Sequence, residues 1–274
     1  SEVDMVIEGE HEGLTEFPSI VAGPVEEQIA ESIVDRMTNG ACIQLGVGGM
    51  PDAIGKLIAE SELKDLGIHT ELLVNAYLDM HKAGKITNLN KHDIMRGKSV
   101  FSIAHGTKEL FDWVSDNPSM CCAPINYVND LSVIGEIDNF VSINSCIAVD
   151  LFGQISAESA GTRHISGTGG QLDFLTAGFK NPRAQSFIAL PSTYTDKKGN
   201  LHSNIKPTFT GGDIITDPRS QAYTMVTEYG IENLAGASVW ERAEKLISLA
   251  HPDFREELIE SAKKVNVWRQ SNKR

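Results

Sequence analysis

Two glycine-rich turns and one carboxylate carry most of the chemistry that this chain can offer. The first turn is Gly46-Val47-Gly48-Gly49-Met50-Pro51, inside "QLGVGGMPDA". The second is Gly167-Thr168-Gly169-Gly170, inside "RHISGTGGQLDF". The carboxylate is Glu71, which ends "GIHTE" and is followed by Leu72, Leu73 and Val74. A glutamate fixed at a strand end among apolar groups is partly desolvated, which makes it a better nucleophile towards a carbonyl carbon. The ordinary alternative is a glutamate that reaches solvent. Backbone N–H groups in a glycine turn can cradle phosphate or stabilise an oxyanion.

The first turn has three readings. It satisfies half of a dinucleotide fingerprint, lying after a strand and before a helix, but Pro51 replaces the third glycine of G-x-G-x-x-G. Some 40 residues, including a helix, also precede it, which weakens that reading. Its glycines could instead merely permit a tight turn, or its N–H groups could face a developing oxyanion. Near the second turn, Ala157-Glu158-Ser159-Ala160-Gly161 loosely imitates the nucleophile elbow of serine hydrolases. Soon after Ser159 come Gly161, Thr162, Arg163 and His164 with no helical pattern, so the strand-turn-helix context is missing. His164 reads as a loop or packing residue.

The elements that must position these groups alternate along the chain. Ile29, Ile33 and Met37 share one face of a helix over 25–37. "ACIQLGV" is a strand, and Pro51 suits the first turn of a helix reaching about Leu63. "LGIHTELL" is a strand and "AYLDMHKAG" a helix stopped by Gly84. "KSVFSIA", "DNFVSIN", "IAVDLFGQI", "SFIALPS" and "AYTMVTEYG" read as further strands. "KELFDWVSDN", "VWERAEKLISLA" and "DFREELIESAKKVNVW" read as helices, and Gln171 and Asp173 would open another. The succession predicts an α/β fold with an open, mostly parallel sheet and flanking helices. Ligands in such sheets sit at the carboxyl ends of strands, where both glycine turns lie. Residues 1–24 look different, acidic and without helical pattern, more an arm than a domain.

Composition narrows the function classes. The 274 residues carry 37 acidic and 24 basic side chains, a net charge of -13, which argues against a nonspecific nucleic-acid surface. Cys42, Cys121, Cys122 and Cys146 form no CxxC pair, so neither a disulfide framework nor a zinc site is expected, and a reducing cytoplasm is the simplest home. No run reaches the roughly 18–20 continuous apolar residues of a membrane helix. No motif predicts a metal.

Seven segments in order, "LGVGGMPDA", "LGIHTELL", "KAGKITN", "AESAGTRHISGTGGQLDF", "ALPSTYTD", "VTEYGIENLAG" and "AHPDFREEL", resemble the acetyl-CoA hydrolase/transferase family, within it the butyryl-CoA:acetate and 4-hydroxybutyrate CoA-transferase branch. They span Leu45 to Leu258. The resemblance implies a CoA-transferase acting through a glutamyl-CoA thioester, with Glu71 as the nucleophile. It implies that Gly46, Val47, Gly48, Gly49 and Met50 line the CoA thioester, with the Val47 N–H an oxyanion donor and Gly169 a second donor or CoA contact. "NSCIAVD" would contribute Cys146 or Ile147 to the CoA site. Coenzyme A is then a substrate and no cofactor is held permanently. The partners are acyl-CoA and short-chain carboxylates, and the enzyme is expected to form a homo-oligomer. Family members carry an N-terminal α/β domain, so residues 1–24 would be the linker arm from an absent domain and residues 25–274 the catalytic C-terminal domain. The other readings are an acyl-CoA hydrolase, if water outcompetes the acceptor acid, or an inactive CoA-binding fragment.

Overall fold

The computed structural model of the chain describes residues 4–10, 13–91, 95–221 and 224–268. The elements run α1 (Pro24–Val34), β1 (Cys42–Leu45), α2 (Gly49–Glu60), β2 (Gly67–Val74), α3 (Asn75–Lys82), β3 (Ser99–His105), α4 (Lys108–Val114), β4 (Met120–Cys122) and α5 (Ile125–Val128). They continue with α6 (Leu131–Gly135), β5 (Phe140–Ser145), α7 (Gln171–Lys180), β6 (Gln185–Ala189), β7 (Thr224–Thr227), β8 (Gly230–Asn233), α8 (Val239–Ser248) and α9 (Pro252–Lys264). Short two- and three-residue strands lie in the connections from β5 to α7 and from β6 to β7.

β1 to β8 form one sheet in the spatial order β8-β7-β6-β5-β1-β2-β3-β4. Every neighbouring pair is parallel except β7 and β8, which are antiparallel. The chain winds outwards from β1 to β4, returns to lay β5 on the other side of β1, and winds outwards again. The winding reverses between β1 and β5, and a crevice opens there at the carboxyl ends of the strands.

Successive side chains of a strand point to opposite faces, and β1 shows what covers each. Ile43 and Leu45 join a buried cluster with Ile29 and Ile33 of α1, Ile54 and Ile58 of α2 and Tyr77 of α3. Cys42 joins another with Val128, Ile134, Phe174 and Ala177, contributed by α5, α6 and α7. Burial on both faces explains why these strands are apolar runs and not alternating ones. A third cluster gathers Leu246 and Ile247 of α8 and Leu258 and Ile259 of α9 against Ile188 and Met225.

The open, mostly parallel α/β sheet agrees with the sequence reading, and two elements differ in detail. "IAVDLFGQI" is not one strand: Ala148–Asp150 folds back on Ile155–Ser156 as an antiparallel pair outside the main sheet. The Asp150 carboxylate closes that turn by accepting from the Phe152 and Gln154 N–H groups, and Gly153 takes φ +83. α2 begins at Gly49 after Gly48, whose φ of 111 other residues rarely adopt, and so has Pro51 in its first turn as expected, but it ends at Glu60, short of Leu63. Of the strand expected over "AYTMVTEYG", Thr224–Thr227 is present, and Ala222 and Tyr223 lie outside the described residues. So do residues 1–3, 11, 12 and 269–274 of the expected arm and C-terminal domain.

No helix or strand precedes Pro24 among the described residues. The preceding segment is tied down at points. The Phe17 N–H donates to the Gly106 carbonyl at 2.9 Å, its ring stacks on His105 at 3.8 Å, and the Ile20 N–H donates to Asp52 at 2.8 Å. No described helix is long and apolar enough to cross a membrane.

β2 is fixed to the loop side of the sheet by a buried histidine. His69 is fully buried and its Nε2 lies 2.8 Å from the Val128 carbonyl, so Nε2 carries the proton and Nδ1 has no partner among the described residues. Burial, then the nearby Lys91 charge, pushes its pKa down to about 4 against the opposing Val128 bond. A histidine held neutral when folded but ordinary when unfolded makes the unfolded chain bind the extra proton. Stability therefore falls as pH drops from about 6.5 to about 4, by up to about 3 kcal/mol. In urea unfolding, His69→Gln is expected to remove that acid sensitivity; an unchanged slope over this range would contradict the assignment.

Candidate active site

Glu71 is placed by register. The pairing of β1 with β2 ends at Ile43 and Ile68, while β2 continues to Val74 beside β3. Glu71 thus emerges past the end of β1, beside the loop that starts at Gly46. His69 and Glu71 lie two apart on the strand and so on one side of it, and they hold consecutive residues at the end of α5. His69 takes the Val128 carbonyl, and the Asn129 Nδ2 donates to Glu71 Oε2 at 2.7 Å.

The second glycine turn closes on the same carboxylate. A Cβ at Gly170 would lie 2.1 Å from Glu71 Oε2 and 2.3 Å from Asn129 Nδ2. No other residue fits without moving one of them. Gly170 has an ordinary φ of -85, so the requirement here is space and not conformation. Gly169 is less constrained, since its Cβ would meet Glu71 Oε1 at an ordinary 3.7 Å.

Two clefts meet at Glu71. One, of about 280 Å³, lies at the crevice between β1 and β5 and is lined by Gly46, Val47, Asn144, Ser145, Glu158, Gly169 and Gly170. The other, of about 500 Å³, is lined by Ile125, Asn126, Asn129, Leu131, Thr168 and Asp173. Glu71 and Gly169 belong to both walls. Among the described residues nothing accepts from the N–H groups of Val47 or Gly169, and both residues line the first cleft with Glu71. The Gly46 N–H is committed to the Ile143 carbonyl at 2.9 Å.

The floor of the first cleft is a closed polar network. Gln44 and Asn144 exchange two amide hydrogen bonds of 3.0 Å, and the Ser142 hydroxyl donates to Gln44 at 2.7 Å. Buried amides paired in this way are stable without water. The remaining residues of the first glycine loop stand back: Gly48 and Gly49 start α2, Gly49 faces Ile20, and Met50 is buried in the core. Cys146 and Ile147 do not line either cleft. The Cys146 N–H donates to Ala189 and its side chain packs beside the third cluster, and the Ile147 N–H donates to Ser156. Burial, followed by the Asp217 charge, pushes the Cys146 thiol pKa up.

Carboxylates crowd this region. Burial raises the Asp173 pKa, and the Glu71 charge adds to the rise while a hydrogen bond from Asn129 opposes it. Glu158 is 8 % exposed and accepts from the Thr168 hydroxyl at 3.2 Å. Asp217 is wholly buried, and burial together with the Glu158 charge pushes its pKa up to about 6 against the Gln171 hydrogen bond. Among the described residues no lysine, arginine or histidine lines either cleft. Among the described residues no three His, Cys, Asp or Glu side chains converge as a metal site.

Asn129, Gly170, Glu158 and Asp217 are the site residues that sequence reasoning passed over. Only Gly170 and Glu158 had a signal, the "GTGG" and "AES" strings, and attention there went to Gly169 and Ser159. Ser159 is 1 % exposed and its hydroxyl accepts from the Ile214 N–H at 2.9 Å, so it is not an exposed nucleophile.

The fold and cleft define an open, doubly wound α/β protein whose site lies at the switch point of its sheet. Residues 106–262 match the acetyl-CoA hydrolase/transferase C-terminal domain, and the chain belongs to that family. It is 52 % identical over 274 residues to the butyryl-CoA:acetate CoA-transferase of Anaerostipes caccae, covering all of this chain and 61 % of that one. The crystal structure of RipA from Yersinia pestis superposes with a TM-score of 0.86 at 40 % identity, over 94 % of this chain and 57 % of that one. That of 4-hydroxybutyrate CoA-transferase from Porphyromonas gingivalis gives 0.77 at 36 % identity, over 93 % and 58 %. The chain therefore spans about three fifths of the length of the relatives it matches.

The position of Asp217 has a consequence for stability. A carboxyl group with a raised folded pKa keeps its proton more firmly when folded, so its contribution is present below about pH 4 and lost as pH rises through about 6. Asp217→Asn carries no charge to bury. It is expected to be more stable than the parent by about 3 kcal/mol above pH 7, a gain that vanishes towards pH 4. Urea unfolding at both pH values checks this, and a gain independent of pH would contradict it.

Proposed function

We propose that the protein is a CoA-transferase that moves CoA between a short-chain acyl-CoA, such as butyryl-CoA or 4-hydroxybutyryl-CoA, and acetate, with Glu71 as the nucleophile. The observation that carries this reading is a single carboxylate on the shared wall of two clefts, one of which is also lined by Val47 and Gly169, whose N–H groups have no acceptor among the described residues. The names of the relatives supply the substrate class: one transfers CoA between butyryl-CoA and acetate, another is a 4-hydroxybutyrate CoA-transferase. Residues from 25 onwards form the catalytic unit in this reading.

The chemistry follows from the groups present. The Glu71 carboxylate attacks the acyl carbonyl of acyl-CoA. The tetrahedral oxyanion collapses with loss of CoA thiolate, leaving an acyl-glutamyl anhydride. The thiolate attacks the glutamyl carbonyl and expels the first carboxylate, which leaves a glutamyl-CoA thioester. An incoming carboxylate attacks that thioester, regenerating an anhydride and the thiolate. Attack of the thiolate on the acyl carbonyl then releases the new acyl-CoA and frees Glu71.

Each step passes through an oxyanion, which the Val47 and Gly169 N–H groups would stabilise by about 3–4 kcal/mol each. Asn129 holds one oxygen of Glu71, leaving the other to attack. Two clefts at one nucleophile suit a reaction with two carbonyl partners and one travelling thiol. Gly46 would pack against the thioester, with Gly48, Gly49 and Met50 acting from behind by fixing the loop. Cys146 and Ile147, set back from the clefts, would act only through Ser145.

Glu71→Gln is expected to reduce CoA transfer from butyryl-CoA to acetate by at least about 1,000-fold with the unfolding midpoint retained. Gly170→Ala should approach the same loss because its methyl displaces Glu71, whereas Gly169→Ala keeps its N–H and should retain most activity. Steady-state rates for the three variants test this together, and full turnover by Glu71→Gln would exclude the mechanism. Omitting acetate separates transfer from hydrolysis: a transferase releases little free CoA without it.

A further inference from the structure

We propose that Asp217 is a positioning residue for the second glycine turn: its carboxylate holds Gln171 and thereby fixes Gly169 and Gly170 against Glu71. The proposal rests on the reading of Glu71 given above and adds to it the part of the fold that keeps the donor turn in place.

The Ile165 and Ser166 N–H groups donate to the Glu158 carbonyl at 2.8 and 3.3 Å, and beyond them residues 167–169 have no backbone bond among the described residues. Residues 163–169 are exposed, and the glycines at 167, 169 and 170 bring no side chains to pack. Two side-chain tethers remain. The Thr168 hydroxyl donates to Glu158 at 3.2 Å, and the Gln171 Nε2 donates to Asp217 Oδ2 at 2.6 Å. Gln171 is the first residue of α7 and comes directly after Gly170. With no room for even a Cβ between Gly170 and Glu71, a small shift of the turn either strikes the carboxylate or withdraws the donor from it.

Asp217 is built as an anchor. It is 0 % exposed, so it cannot touch a ligand. Its backbone is fixed to Ile155, whose N–H donates to the Asp217 carbonyl at 3.0 Å, and the Thr216 hydroxyl accepts from Ala157 at 2.9 Å. The groups that face the carboxylate are Glu158 from the neighbouring segment, Gln171 from α7 and the Cys146 thiol at the end of β5. Its Oδ1 has no partner among the described residues. A charge buried with one amide for company is unfavourable for stability alone, and packing alone would be served by an apolar side chain. What the site gains is an immobile acceptor behind the turn, and a misplacement of about 1 Å can lower a rate about 100-fold.

The test combines turnover with amide hydrogen exchange of the 167–171 segment. Asp217→Ala and Gln171→Ala should each lower kcat by 10- to 100-fold with KM within about threefold. Each should also accelerate exchange in the turn, and the double variant should be no worse than either single one. Asp217→Asn keeps an acceptor for Gln171 and should stay within about fivefold of the parent in kcat. Parental kcat and exchange in folded Asp217→Ala and Gln171→Ala would overturn the proposal, as would losses that multiply in the double variant. Failure of Asp217→Asn to rescue would overturn it too. If Asp217→Ala does not fold, Gln171→Ala with Asp217→Asn carries the comparison. A parent protein that transfers no CoA would refute the Glu71 reading, and hydrogen exchange would still decide whether Asp217 holds the turn.

Discussion

The approach of the Gly170 backbone to the Glu71 carboxylate is the contact on which the site depends. A Cβ there would have to displace the ends of the Glu71 and Asn129 side chains, so the identity of residue 170 and the placement of those two side chains are linked. Everything nearby serves that approach. The register of β2 carries Glu71 past the end of β1, the His69–Val128 bond sets the end of α5, and Asn129 then reaches the carboxylate at 2.7 Å. From the other side, α7 starts at Gln171 immediately after the turn. The first turn of a helix presents unpaired N–H groups and a partial positive charge, which is the electrostatic sign that a carboxylate and an oxyanion require.

That sign matters because the surroundings are acidic. Glu71, Asp173, Glu158 and Asp217 share the region, and among the described residues no basic side chain lines either cleft. Backbone dipoles and amide groups supply the positive potential instead. Such groups are fixed by the fold and need no reorganisation as charge develops. Burial is the main cause that raises the pKa values of Asp173 and Asp217, and the neighbouring Glu71 and Glu158 charges add to it.

Much of this was legible in the sequence because it is local. An apolar run ending in a glycine turn and followed by a helical stretch marks β1 and α2, and "GIHTELL" marks β2 with its single carboxylate. The glycine turn before Gln171 was visible for the same reason. The partners of Glu71 were not visible, because Asn129 stands 58 residues away, at the end of a four-residue helix, and nothing sets it apart from the neighbouring Asn126 and Asp130. Asp217 meets Gln171 across 46 residues, and nothing in "TDPR" announces a buried carboxylate. The fold-back at Ala148–Ser156 escaped because an apolar run reads alike whether it continues or reverses; the Asp150 side chain that turns it is one of only two polar side chains in "IAVDLFGQI". Choosing Gly169 over Gly170 was beyond any pattern, since only their distances from Glu71 distinguish them.

The central claim is that the Glu71 carboxylate becomes covalently joined to CoA during turnover. The most direct measurement is peptide mapping by mass spectrometry after brief mixing with butyryl-CoA and rapid quenching. A glutamyl-CoA thioester gives a CoA-sized mass increase on the peptide that contains Glu71, discharged by adding acetate and absent from Glu71→Gln. A CoA adduct on another peptide, or turnover with no adduct on any, would contradict it.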